Sequence, residues 1–477
     1  MAFLTGGANT TSTAAYDVAN SVRWNKPDSA YMHKTFGTST DVDKCTISVW
    51  LKRSLLGGTK SIVGCHTDDN NRVLFGFEED QLQYRQVDSG STTVNLITTQ
   101  VFRDVSAWYH IVLSVDTGQS TAANRIRLYV NGSEVTDFGT ETDPDQNLNF
   151  GLNNSSIVLK LVQQGEQNDF FDGYMSEFVF IDGQQLTPSS FGEFNSDSPT
   201  IWQPIDVSGL TFGTNGFYLD FESSGNLGND ANGGTDLTEV NLAATDQSTD
   251  TPTLNYPTWN PLIANSDPVY SEGNLQVYAG TRDTNYQTVI STMAAQNGKW
   301  YCEMKAVQGF EGSDKGYGIY RMDNTYVTTT GLGNYVGGYT WSYSAAGLVR
   351  TANGTVDNEA DDWSDNDIMA VAMDLDNNKV YFAKNNTWIN SGDPTSGATG
   401  TGAYAIINAA GSKDFYSFAC TVIQETESDN PTWQANFGSP MYANSSDAAD
   451  ADGSGAFEYA PPSGYFAMNS KNLAEYG

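Results

Sequence analysis

DNDIMAVAMDLDNNKVYFAKNNTWINSG, running from Asp365 to Gly392, decides the fold class of this 477-residue chain. A nearly unbroken apolar run from Ile368 to Leu375 stops at Asp376, Asn377 and Asn378 and resumes from Val380 to Ala383. Asn tolerates the left-handed backbone that tight turns require, and neither arm shows the apolar spacing of a helix, so the stretch predicts a β-hairpin. Side chains alternate across a strand. Met369, Val371, Met373 and Leu375 therefore share one face, opposite Ala370, Ala372 and Asp374, and one face can pack on a second sheet. Residues Trp108 to Gly132, WYHIVLSVDTGQSTAANRIRLYVNG, repeat the pattern around a polar turn after Asp116. Two such hairpins, far apart in the chain, predict two β-sandwiches in series.

The composition agrees with an all-β chain. Tyr, Phe, Thr, Val, Ser, Asn and Gly outweigh Leu, Lys and Glu, which is strand and turn usage. The 23 basic and 57 acidic residues give a net charge of -34, spread along the chain. Such a surface repels phosphate backbones and anionic membranes, which argues against nucleic acid as a partner and against membrane insertion. It suits salt water, where self-repulsion is screened. No run reaches the roughly 18 apolar residues of a membrane helix. The start, MAFLTGGANTTSTAAYD, has neither the basic region nor the apolar core of an export signal, so the chain is expected to be made in a cytoplasm and to act outside after lysis, inside a particle. Cys45, Cys65, Cys302 and Cys420 sit singly in strand-like contexts and read as small buried hydrophobes rather than disulfides or a zinc site.

In chain order, residues 1–18 read as an arm or edge strand, 19–198 as the first sandwich, and 199–267 as a Gly/Asn/Pro-rich connector. Within the connector, Phe217 to Phe221 are expected to dock as a strand. Residues 268–444 read as the second sandwich and 445–477 as a tail that is first acidic, then aromatic enough to pack back. LTPSSFGEF, with Thr187 as N-cap and Pro188 at the first position, predicts a short helix. Asn297-Gly298 is an Asn-Gly pair, the strongest kind of two-residue hairpin signal.

WYHIVLSVD followed by RIRLYVNG and then DGYMSEFVFIDGQQLTPSSFGEF resembles the concanavalin-A-like, laminin-G-like sandwich, over about residues 20 to 198. GKWYCEMK, YTWSYSAAGLVRTANG, IMAVAMDLDNNKVYFAKNN and ANFG together resemble the SPRY domain, over about 268 to 440. The wording around them, including SPTIWQPIDVSG and DTPTLNYPTWNPL, is similar to virion proteins of tailed phages of aquatic bacteria. The fold class expected is therefore all-β, with two antiparallel β-sandwich (jelly-roll) domains, concanavalin-A-like then SPRY-like.

Concanavalin-A-like sandwiches include glycanases, whose carboxylate pair must share one strand face. The nearest pattern, Glu141-Thr142-Asp143-Pro144-Asp145-Gln146, carries a proline and places Gln146 where the acid belongs, so no enzyme is expected. His33, His66 and His110 are the only histidines, and none stands in a recognisable nucleophile pattern. Asp68, Asp69, Asn70 and Asn71, or Asp143 and Asp145, offer hard oxygens for the calcium that the resemblance allows, against the plainer reading of turn residues. Tyr335, Tyr339, Trp341 and Tyr343 alternate through a glycine-rich segment and are candidates for stacking on sugar rings. The function expected is a non-enzymatic virion protein, a tail or head fibre or decoration protein. It would bind a host-surface glycan or protein and other virion proteins, as a homo-oligomer that gains by avidity. The alternatives are a purely structural cementing protein and a secreted lectin-like or glycan-cleaving protein.

Overall fold

The computed structural model describes residues 4–5, 16–155, 157–165, 169–263, 268–280, 287–310, 315–322, 340–351, 354–357, 362–408, 413–424 and 430–477, with backbone alone at 4–5, 340–341, 351 and 354–357. These residues form two compact units, Thr13–Thr253 and Leu254–Gly477 together with Met1–Ser12. Each unit is an antiparallel β-sandwich. Among the described residues no helix is long and apolar enough to cross a membrane.

Among the described residues the first unit holds two eight-stranded sheets. One runs in the order Ser133–Glu134, Ile126–Val130, Trp108–Asp116, Lys44–Arg53, Gly173–Asp182, Ser21–Trp24, Gln247–Ser248, with Phe217–Leu219 also paired to Gly173–Asp182. The other runs Phe138–Thr142, Ser91–Val101, Gln81–Asp88, Asn71–Glu78, Lys60–Asp68, Val158–Leu161, Tyr31–Thr35, Thr238–Val240. In KCTISVWLKR, Cys45, Ile47, Val49 and Leu51 point to the core between the sheets, where they meet Val73, Phe75 and Phe77 of the opposite sheet. Burying each large apolar side chain there stabilises the unit by roughly 1.5–3 kcal/mol.

The alternate residues of that strand, Thr46, Ser48, Trp50 and Lys52, point away from the core and yet are buried as well. The cover comes from residues 186–253, through Phe191, Val207, Phe212 and Tyr218 on Val112, Tyr129 and Val179. The expected 199–267 connector is thus largely a third layer of the first sandwich, and the boundary falls after Thr253. Phe217–Leu219 pairs with Phe178 to Phe180. The LTPSSFGEF helix is replaced by a single 3-10 turn at Pro188–Ser190 and a short strand at Gly192–Phe194. The Thr187 hydroxyl meets Ser189 rather than capping the turn, and the strand pairs with Trp202–Pro204. Among the described residues, no apolar layer like this one covers the outer face of the second sheet along strands 60–101.

In the second unit a nine-stranded sheet faces a six-stranded one, counted over the described residues. The deciding hairpin forms with Met369 opposite Lys384 and Asp374 opposite Lys379. Its turn is set by Asn378 at φ 55° and by Asp374, whose oxygens accept the Asn377 backbone N–H at 2.9 Å and its side-chain amide at 2.8 Å. Met369, Val371 and Met373 join the core between the sheets. On the other face Ala370 and Ala372 leave room for Phe457 and Tyr465 of the tail, which pack there with Tyr301 and Tyr381. The tail ends in Ser470–Tyr476, the single α-helix among the described residues, where the Asn469 side chain accepts the Asn472 N–H at 2.8 Å.

Asn297-Gly298 is a corner rather than a hairpin turn. Before it, Ala295 bridges to Tyr416 near the six-stranded sheet. After it, Lys299–Gln308 pairs with Ile368–Asp374 and Thr432–Asn436 of the other sheet. Gly298 supplies the positive φ of 84° that this change of sheet needs.

Candidate functional site

Strands Lys60–Asp68, Asn71–Glu78, Gln81–Asp88 and Ser91–Val101 form a meander whose inward residues, among them Val73, Phe75, Leu82, Tyr84 and Leu96, belong to the core. Period two then sends the intervening residues outward, in rows fixed by register. Leu74, Arg85 and Asn95 make one row, Arg72 and Val87 the next toward the 68–71 turn, and Gln83 and Ile97 the next on the other side. These rows are the floor and flank of a groove of about 530 Å³.

Its wall is the chain after Val158–Leu161. The Val162 N–H donates to the Ile62 carbonyl at 2.9 Å, and the Ser61 N–H to the Asp169 carbonyl at 2.7 Å. Two glycines let this wall close on the sheet. A Cβ on Gly64 would stand 3.0 Å from the Gln164 Cα, and one on Gly165 would stand 2.8 Å from the His66 ring.

The groove is polar above an apolar floor of Leu74, Val87 and Ile97. Gln83 donates its amide to Asn95 Oδ1 at 3.0 Å, and Glu78 accepts the Thr59 hydroxyl at 2.6 Å. Arg72 donates to the Asp69 carbonyl at 2.6 Å. Arg85 has neither an ion-pair nor a hydrogen-bond partner among the described residues. Asp169 is 6% exposed, and its Oδ1 is buried without a donor among the described residues. Burial pushes its carboxyl up, opposed by backbone N–H groups and by the nearby Lys160 and His66. The arrangement can take a polar ligand that brings both donors and acceptors.

The sequence strands contain the signal for this groove. In RVLFGFEEDQLQYRQV one alternating set is uniformly apolar or core-compatible, and the other mixes Arg72 and Arg85 with Leu74 and Val87. Arginines alternating with apolar residues on the face opposite the core are the signal, although Leu74 and Val87 are themselves buried on the groove floor. The wall residues Gln164 and Asp169 carry no such signal, because only tertiary pairing brings them to the sheet.

The residues expected to bind sugar lie elsewhere. Tyr343 is fully buried among Tyr317, Trp363 and Phe382, so as a binding residue it is corrected to core. Trp341 pairs through its backbone with Ile319, while Tyr335 and Tyr339 lie outside the described residues. The calcium candidates form two separate turns. Asp68 Oδ1 accepts the Asn70 N–H at 2.8 Å and the Asn71 amide at 3.0 Å, and Asp69 lies beside Arg72 and His66, surroundings that do not fit a cation. Asp143 and Asp145 flank Pro144, whose carbonyl accepts from Arg125 at 2.8 Å. Among the described residues no group of three His, Cys, Asp or Glu side chains converges to hold a metal. Glu141 lies in the edge strand Phe138–Thr142, and Asp143 and Asp145 fall beyond it, so the three acids share no strand face.

One pair imitates a nucleophile with its base. Ser48 Oγ lies 2.8 Å from His110 Nε2. Trp202 Nε1, which can only donate, is 2.8 Å from His110 Nδ1, so Nδ1 is the acceptor and the ring proton sits on Nε2, pointing at Ser48. That tautomer cannot take the serine proton. Burial pushes His110 down to about 3, and the ring stacks on Trp50 with Trp202 hydrogen-bonded at its edge, as a packing element.

Residues 28–190 match the family model of the concanavalin A-like lectin/glucanases superfamily, laminin G type. The match contains every residue of the groove. No curated protein sequence matches the chain. Among solved structures, the SPRY domain of human HERC1 is similar at 12% identity over 37% of this chain and 96% of that one, with a TM-score of 0.28. A Bacteroides ovatus protein provisionally assigned to carbohydrate binding is similar at 17% identity over 47% and 58%, TM-score 0.31. Domain 4 of the Geobacillus stearothermophilus arabinanase AbnA, solved with arabinotriose, is similar at 18% identity over 32% and 65%, TM-score 0.24.

Proposed function

We propose that the first unit is a saccharide-binding module that uses the groove on residues 60–101, and that the chain is a non-enzymatic recognition component of a tailed-phage virion. The observation that carries the binding site is the groove itself. On an outer sheet face that carries no third layer among the described residues, the unpaired Arg85 side chain and Asp169 Oδ1 stand over an apolar floor. The lectin-and-glucanase family match over the same residues supports saccharide as the ligand class. Binding without turnover is supported by the scattered acids of Glu141 to Asp145 and by the wrong tautomer at His110. The virion setting, with host-surface glycan and neighbouring virion proteins as partners, rests on the resemblance carried by SPTIWQPIDVSG and DTPTLNYPTWNPL.

The test is binding of the full chain to immobilised glycans, with Asn95→Trp placing an indole in the groove from its outward row. The expected result is a loss of about tenfold or more in affinity, equivalent to about 1.4 kcal/mol, at an unchanged melting temperature. Undiminished binding by this variant removes the groove as the site. Release of reducing ends from a bound glycan removes the non-enzymatic reading.

A further inference from the structure

We infer that the groove selects an acidic saccharide, one whose carboxylate or sulfate is held by Arg85 and Arg72 while its hydroxyls reach Asp169. This rests on the groove being a saccharide site and names the class it takes. Basic residues are scarce in this chain, 23 against 57 acidic, yet two arginines and a histidine face one groove. Leu74 stands opposite Arg85 and Arg72 opposite Val87, so the two arginines are diagonal neighbours on one face, about 7–8 Å apart at the backbone. His66 stands opposite Arg72 on the next strand.

Arg72 is partly balanced by Asp69, whose side chain is 79% exposed, whereas nothing among the described residues balances Arg85. A guanidinium offers a planar fork of donors that matches a carboxylate or sulfate with two parallel bonds.

The acids lie toward the other end. Asp169 is fixed through its carbonyl to Ser61, which pairs with Gly76, and Glu78 stands two residues further along. The lining is therefore polarised, with Arg72 and Arg85 toward one end, where Asp69 balances only Arg72, and Asp169 and Glu78 toward Thr59. An anionic group is repelled from the second end and held at the first. Asp169 Oδ1, buried with no donor among the described residues, leaves an acceptor for a ligand hydroxyl. The described lining contains no Trp, Tyr or Phe, so recognition falls to charged and amide groups rather than to stacking on sugar rings.

The experiment is calorimetric titration of the full chain, at one fixed ionic strength, with three probes of equal length: an oligogalacturonate, a sulfated oligogalactan and a neutral oligoglucan. The expected result is that at least one acidic probe binds about tenfold or more tighter than the neutral one, and that Arg85→Gln removes the difference at an unchanged melting temperature. The two acidic probes separate carboxylate from sulfate as the group held. Asp169→Asn is expected to weaken acidic and neutral probes alike. If the neutral probe binds as tightly as both acidic ones and Asn95→Trp still blocks it, the acidic class is overturned and the groove stands. If an acidic probe binds equally well to wild type and to the Arg72→Gln/Arg85→Gln variant, the arginine clamp is overturned. If no probe binds, or Asn95→Trp leaves binding intact, the groove reading falls with it.

Discussion

The Lys52 ammonium lies 2.8 Å from Asp250 Oδ2, with the two side chains 1% and 2% exposed, and Trp108 Nε1 donates to the other oxygen of the same carboxylate at 3.1 Å. Burial pushes Lys52 down while Asp250 holds it up, so the pair exists only because both charges are present. Lys52→Met leaves a buried carboxylate without its counter-charge, and the expected cost is about 3–5 kcal/mol, read from the urea unfolding of the first unit. Lys52→Met combined with Asp250→Asn is expected to recover part of that loss. A single variant as stable as wild type would show that the pair is not buried as described. Nothing local in SVWLKR announces it, since the partner is 198 positions away. The same limit governs the groove. None of its residues was expected to bind a ligand: strand alternation places Arg72, Leu74 and Arg85 on one face without saying that this face forms a groove, and Asp169 and Gln164 reach the sheet only through long-range pairing. Tyr343 was misleading for a related reason, because alternation says which residues share a face and not whether that face meets solvent or a second sheet.

At the scale of elements, the hairpins at 108–132 and 365–392 were legible because turn chemistry and apolar period agree within a few residues. Asn297-Gly298 shows where such agreement fails. The turn signal is present, but the strand before it is two residues long and the next pairs elsewhere. The tail was legible as aromatic, but not its anchor, Glu303. This buried carboxyl accepts the backbone N–H groups of Glu458 and Tyr459, each at 2.8 Å, and the Tyr301 hydroxyl at 3.0 Å. Burial nevertheless pushes it up from 4.5 to about 7. Between those values the folded chain holds a proton that the unfolded chain has released, so stability falls as pH rises across that window and is flat above it. The expected outcome is a urea midpoint for the second unit that declines from about pH 5 to about pH 7 more steeply in wild type than in Glu303→Gln, whose side chain cannot ionise. Identical slopes would mean that Glu303 is ionised throughout.

For the molecule as a whole, 57 acidic against 23 basic residues leave a net charge of -34 that no single ion pair offsets. Folding gathers these charges onto compact surfaces, so the folded state carries more self-repulsion than the extended chain, and that excess acts against folding. Salt removes it. The Debye length falls from about 30 Å at 0.01 M to about 3 Å at 1 M, so charges spaced across a surface cease to interact while buried pairs such as Lys52–Asp250 are screened little. Melting temperatures are therefore expected to rise by several degrees between about 0.01 M and about 0.5 M NaCl, since about 1 kcal/mol shifts a unit of this size by about 2–4 °C. The check is scanning calorimetry across that range, with an equal osmolality of sucrose as the control for solvent exclusion. A rise of the same size in sucrose, or none in salt, would show that surface repulsion is not what the acidic composition brings. A rise confined to salt would identify a chain suited to the ionic strength of sea water.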